Sequence, residues 1–157
     1  MFNPNYTIRP AVAADVKDLL HHRRAMFYEM GHTEPAALDA MELSCRPFLK
    51  NALRDGTYRS WVAEIVKGTV IAGGGVVILP WLPSPVDARP RRAIILNVYT
   101  EPAYRRQGIA RALMQTAIVW CRAEGFQSVA LHASEQGRPL YESLGFVPTN
   151  EMRLALR

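Results

Sequence analysis

Apolar positions in this chain repeat with two different periods, and the switches between them mark out the elements. "YTIRPA", Tyr6 to Ala11, is short and predicts a first strand. "AADVKDLLHHRRAMFYEMG" changes to helical spacing: Val16, Leu19, Leu20, Ala25, Met26 and Phe27 make much of one face, Asp15 sits near the start and Gly31 ends the run. A second helix is predicted from Pro35 to about Leu53, with Leu38, Met41, Leu43, Phe48 and Leu49 on its buried side. "GTYRSWVAEIV" and "TVIAGGGVVIL" are β-branched runs joined by "KGT", which predicts an antiparallel hairpin. Gly73, Gly74 and Gly75 predict a bulge or a close backbone approach in its second strand.

"PWLPSPVDARP" then reads as a connecting loop, and "RAIILNVY" as a strand apolar enough for the centre of a sheet. From Ile109 to about Glu124 the residues Ile109, Leu113, Ala117 and Cys121 recur every four positions, and Gly125 stops the helix. "SVALH" predicts a strand, "GRPLYESLG" a short helix and "MRLAL" a last strand. The order predicts an α/β fold, a mixed central sheet flanked by helices, in a single domain over residues 1–157.

Composition narrows the class. With 49% hydrophobic and 21% charged residues the chain is ordinary for a globular protein, and no apolar run approaches the roughly 20 residues of a membrane span. "MFNPNYTIRP" has no apolar leader, so a cytoplasmic address is expected, with no membrane partner. Cys45 and Cys121 are far apart and read as reduced thiols, and no metal-ligand spacing is present. The net charge of +5 permits an anionic partner, but the basic residues are dispersed and show no nucleic-acid-binding pattern.

The candidate chemistry is concentrated in "YRRQGIAR", Tyr104 to Arg111, between a strand and a helix. A helix that begins at Gly108 to Ile109 presents unpaired backbone N–H groups and a partial positive charge, which suits phosphate. Gly108 and Ala110 let an anion approach the backbone, and Arg105, Arg106 and Arg111 add positive charge around it. A strand, this turn and a helix make a pyrophosphate cradle.

"V-Y-T-E-P-A-Y-R-R-Q-G-I-A" resembles the acetyl-coenzyme A signature of the GNAT superfamily of N-acetyltransferases, with Pro102, Arg105, Gly108 and Ala110 at its matching positions. "RPLYESLGF", Arg138 to Phe146, resembles the later helix of that family, which carries a tyrosine ahead of "LGF". The resemblance implies a GNAT fold and acetyl-CoA as cosubstrate. The amides of Arg106, Gln107, Gly108, Ile109 and Ala110 would hold the pyrophosphate, with Arg105 and Arg111 beside them. It also implies that the strand from Leu96 to Tyr99 splays from the strand ending near His132, so that the pantetheine arm enters between them along Val98, Tyr99 and Thr100. Ser134 stands where relatives often carry an asparagine, and with Arg138 it completes the expected cofactor contacts.

Moving an acetyl group from a thioester to an amine needs a neutral nitrogen and a stabilised thiolate. Tyr141 is the candidate general acid, carried over from the tyrosine of the family. Many relatives place a glutamate on the central strand, but Ile94 to Tyr99 holds no carboxylate. The base remains open between His132, Glu135, and a water oriented by Asn97 or Tyr99. The acceptor is expected among primary amines of small molecules or peptides, shaped by the region of Phe27, Met30 and His32 and by Trp81. A possible homodimer is expected from the family. The alternative from another class is a sensor that binds acetyl-CoA without transferring its acetyl group.

Overall fold

The computed structural model describes residues 5–66 and 68–156. Residues 1–4, part of the stretch expected to carry no leader, and Lys67 in the expected hairpin turn lie outside the described residues. Strand β1 (Tyr6–Pro10) leads through a short 3-10 turn into α1 (Val16–Glu29), followed by α2 (Pro35–Asp55). Strands β2 (Tyr58–Ile65), β3 (Thr69–Pro80) and β4 (Arg91–Thr100) come next, then α3 (Ile109–Ala123), β5 (Ala130–Leu131) and α4 (Arg138–Ser143). The five strands lie in sequence order in one sheet. Neighbours from β1 to β4 are antiparallel, and β5 joins β4 in parallel.

Two apolar layers cover the two faces of this sheet. On one face Val16, Leu19 and Leu20 of α1 and Leu49 and Ala52 of α2 pack on Tyr58, Val62 and Val77. On the other, Ile109, Leu113, Met114, Ala117 and Cys121 of α3 pack on Trp61, Ile71, Val76, Ala93 and Ile95. The four-residue repeat of α3 therefore faces the sheet, as its spacing requires. Burial pushes the Cys121 thiol up to about 11, so it stays protonated and packs as an apolar side chain. Asp15 is buried at the entry to α1, where it accepts from the Val12 amide at 2.7 Å and from both terminal nitrogens of Arg9 at 2.8 and 2.9 Å. The Arg9 guanidinium holds the Asp15 carboxyl below the usual carboxylate range and ties β1 to α1.

For the three glycines of β3 the expected close approach is found, whereas the bulge lies on the partner strand and not on β3 itself. Pairing with β4 passes from Gly75↔Leu96 to Gly73↔Tyr99, so Asn97 and Val98 together oppose Gly74 and the bulge lies on β4. A Cβ at Gly75 would come within 2.5 Å of the Tyr58 ring, which lies across the strand there.

Three details of the sequence reading are corrected. On α2, Leu43 is 80% exposed and Phe48 is also exposed. The buried stripe instead runs through Leu38, Cys45, Leu49 and Ala52, at spacings of seven, four and three, and Leu43 and Phe48 fall to its side. "SVALH" contributes only Ala130 and Leu131 to the sheet. "MRLAL" forms no strand, and Met152, Leu154 and Leu156 point outward at 94%, 81% and 89% exposure. Alternation alone does not make a strand when no neighbouring edge takes up its backbone groups.

Candidate active site

The site is built where β4 runs out and α3 begins. After Thr100 the chain makes a 3-10 turn over Pro102–Tyr104 and reaches α3 through Arg105 to Gly108. Arg106 and Gly108 both adopt left-handed conformations, with φ of 63° and 81°. Among the described residues, the backbone N–H groups of Arg106, Gln107, Gly108, Ile109 and Ala110 donate to no acceptor in the fold. A Cβ at Gly108 would meet nothing within 4 Å, so the turn faces outward. Ile109 is 1% exposed and roots the helix start in the core. Five free donors at the positive end of a fifteen-residue helix make a site suited to a diphosphate.

The bulge shapes the neighbouring cleft. Asn97 sits in the left-handed region with φ of 61°, which asparagine tolerates better than most residues. Its Nδ2 donates to the Leu19 carbonyl of α1 at 3.1 Å, while Oδ1 is buried without a partner. The amide therefore fixes the bulge against α1. Pairing of β4 with β5 stops at Ile95↔Leu131, immediately before the bulge, so Leu96 to Tyr99 have no partner on the β5 side. Bulges bend a strand and end pairing in this way. Val98 packs with the α3 layer, and the Thr100 hydroxyl is buried without a partner.

Tyr141 on α4 leans on the same layer, with its ring edge-on to Phe146 at 6.2 Å. Burial raises its hydroxyl above the ordinary tyrosine value, which keeps the proton on Oη at neutral pH. A Cβ at Gly137 would come within 2.7 Å of this ring, so glycine there makes room for it. Ser134 Oγ accepts from the Gly137 amide at 3.1 Å and braces the entry to α4. His132 is exposed and its Nε2 meets Glu151 at 3.0 Å. Arg111 donates to Ser143 Oγ at 2.8 Å, joining α3 to α4, and Arg138 lies 3.5 Å from Glu142. Glu135 is exposed in the loop before α4.

A cluster on the α1 side of β4 was not legible in the sequence. Glu29, the last residue of α1, accepts from Arg105 Nη2 at 2.8 and 2.9 Å and from the Tyr99 hydroxyl at 3.0 Å. The Arg105 guanidinium holds Glu29 below the usual carboxylate range, while burial and Glu29 push Tyr99 up to about 12. Arg105 also donates through Nε to the Thr100 carbonyl at 2.9 Å. Two predicted cofactor contacts, Tyr99 and Arg105, thus have their polar groups engaged within the protein.

Beside them, His21 meets Glu101 at 2.7 Å, and His22, 1% exposed, lies 5.3 Å from the Tyr99 ring. His22 Nε2 is 3.7 Å from the same Glu101 oxygen, too far for a hydrogen bond, and burial pushes the His22 ring down to about 4. It is therefore neutral. One signal for the cluster was available: an acidic residue at the negative end of a helix is unfavourable unless a cation answers it.

On the acceptor side the structure brings Phe27 and His32 together, edge-on at 5.5 Å, with Arg23 over the Phe27 ring at 5.0 Å and Met30 exposed beside them. Trp81 does not join them. It follows β3 and stacks under Arg92, near the opposite end of β4 from Thr100, roughly 26 Å along the strand at about 3.3 Å per residue.

Strand, bulge, anion-ready turn and helix, followed by a parallel strand that parts from the first, define an acyltransferase fold of the GNAT class. The chain belongs to the acetyltransferase (GNAT) family, whose model matches residues 16–146. It superposes on a GCN5-related N-acetyltransferase from Ralstonia eutropha JMP134 with a TM-score of 0.90 and 37% identity, covering 97% of this chain and 99% of that one. A predicted acetyltransferase from Clostridium acetobutylicum, solved with acetyl-CoA, gives a TM-score of 0.86 at 26% identity over 97% and 96% of the two chains. Glucosamine 6-phosphate N-acetyltransferase of Trypanosoma brucei brucei is 30% identical over 131 residues, 81% of this chain and 84% of that protein. Human N-acetyltransferase 8 is 33% identical over 97 residues, 58% of this chain but only 39% of the relative's length.

Proposed function

We propose that this protein is an N-acetyltransferase that moves the acetyl group of acetyl-CoA to a primary amine of a small molecule or peptide within a ternary complex. The observation that carries the reading is the row of free backbone donors from Arg106 to Ala110 at the open start of α3. Acetyl-CoA would supply an activated acyl group whose leaving thiol is a better leaving group than an alkoxide or amide. The amides of Arg106 to Ala110 bind its diphosphate, with Arg106 and Arg111 adding charge. Leu96 to Thr100, free of β5, line the way for its pantetheine arm, and Ser134 and Arg138 flank the start of α4.

Tyr141 holds a proton on Oη and gives it to the departing sulfur. A tyrosine at its ordinary value would do this about 1.5 units uphill, roughly 2 kcal/mol, and burial makes the step somewhat steeper. The hydroxyl therefore acts as much by hydrogen-bonding the thiolate as by full transfer. On the amine side His132 receives the proton through its ring. Asn97 is better suited to hold the bulge than to hold a water, because its amide is fixed to Leu19. Phe27, Met30 and His32 offer an apolar and aromatic wall to the acceptor. Glucosamine 6-phosphate, named for the Trypanosoma relative, is the first amine to try.

The second reading, a sensor that binds acetyl-CoA without turnover, is favoured by the same Asn97 contact and by the absence of a carboxylate on Leu96 to Thr100. The deciding experiment is thiol release from acetyl-CoA against a panel of amino sugars, polyamines, aminoglycosides and peptides. Release above the rate without amine supports the enzyme, and binding without release for any amine supports the sensor. The outward apolar stripe Met152, Leu154 and Leu156 supports a homodimer, which sedimentation of wild type and Leu154→Glu would test.

A further inference from the structure

We propose that Glu29 is a positioning residue that couples the coenzyme turn to the acceptor-side loop, so that filling the first orders the second. The proposal rests on the acetyl-CoA reading above and adds a residue to which no role was assigned. Three pieces of chain converge on this carboxylate. α1 ends at Glu29, β4 brings Tyr99 to it, and the turn brings Arg105, the residue immediately before the free donors. Glu29 uses both oxygens on Arg105 Nη2, and Arg105 clamps the Thr100 carbonyl with Nε while its guanidinium lies 5.2 Å from the centre of the Tyr99 ring.

The residue after Glu29 begins the acceptor-side loop. Among the described residues, the backbone bonds that Met30 and His32 donate run back to the end of α1, from their amides to Met26 and Phe27, and the His32 ring packs on Phe27 as well. A change in the set of the turn at Arg105 is therefore passed through one carboxylate to the last residue of α1, and from there into 30–34. The bonds on both sides of this path are local, whereas the clamp between them joins three separate pieces of chain through several bonds. The same clamp answers part of the positive charge at the turn, so Arg105 acts on the coenzyme through position and leaves direct anion contact to Arg106 and the amides.

The test is amide hydrogen exchange of the full chain, free and saturated with coenzyme A, in wild type, Glu29→Gln and Tyr99→Phe. Coenzyme A should slow exchange at 105–110 in all three proteins. In the wild type it should also slow exchange at 30–34, by about threefold or more, and in Glu29→Gln this second effect should vanish. Tyr99→Phe, which removes one bond of the clamp and keeps the ring, should retain part of it. Equal slowing at 30–34 in wild type and Glu29→Gln overturns the coupling, as does no slowing there in the wild type. Absence of protection at 105–110 in the wild type overturns the coenzyme reading itself, and the coupling with it.

Discussion

The turn from Arg106 to Ala110 and the cluster around Glu29 lie on either side of Arg105, and they treat their polar groups in opposite ways. In the turn the backbone donors are left free and face outward. In the cluster the carboxylate, the guanidinium and the tyrosine hydroxyl satisfy one another. The contrast separates two jobs. Groups that meet a ligand must be unpaired and already in place, whereas groups that hold them in place must be paired. Charge alone does not distinguish the two, since Arg105 is bonded to Glu29 while the side chain of its neighbour Arg106, among the described residues, makes no ion pair.

The largest effect is expected where this contrast is most directly broken. Gly108→Val puts a β-branched side chain at φ of 81° and into the mouth of the turn, and acetyl-CoA affinity should fall by at least about a hundredfold in calorimetry, with the fold intact by circular dichroism. Tyr141→Phe removes a proton donor and leaves both regions as they are. Turnover should drop by about a hundredfold while the acetyl-CoA dissociation constant stays within about twofold, measured by thiol release and titration. Similar turnover in the two proteins would remove Tyr141 from the mechanism.

A smaller effect concerns stability. The folded-state value of His22 is lowered, so between about pH 6.5 and 4 the unfolded chain takes up a proton that the folded chain refuses. Stability contributed by the neutral ring is complete above about 6.5 and is lost as the pH falls, to a limit of about 3 kcal/mol. Urea unfolding at pH 7 and pH 5 should show this loss in wild type, and His22→Gln should flatten it. The same midpoint shift in both proteins would assign it to other groups. Least affected should be Arg111→Ala. Its contact to Ser143 is exposed, and the variant should weaken acetyl-CoA binding only a few-fold, more at low salt than at high.

The parts of this molecule that were legible in sequence are those whose cause is local. The four-residue repeat of α3, the turn at Gly108, and the two β-branched runs each carry their own signal within a dozen residues. The three glycines of β3 showed that something approaches closely, but not that the bulge would fall on β4 at Asn97. Tertiary relations were less visible. Arg105 and Glu29 are 76 positions apart, and no periodicity links an ion pair at that separation. Asn97 reads as a polar residue near the chemistry, yet its amide meets α1, because the bulge turns it toward Leu19. The "MRLAL" segment has strand alternation and no strand, since pairing depends on an edge that the pattern itself does not describe.

The measurement closest to the centre of this account is calorimetric titration of acetyl-CoA into the wild-type protein and into Gly108→Val. The account predicts binding in the micromolar range for the wild type and none for the variant. Wild-type protein that takes up no acetyl-CoA, or a variant that binds it as tightly as the wild type, would contradict the claim that the open start of α3 is the coenzyme site.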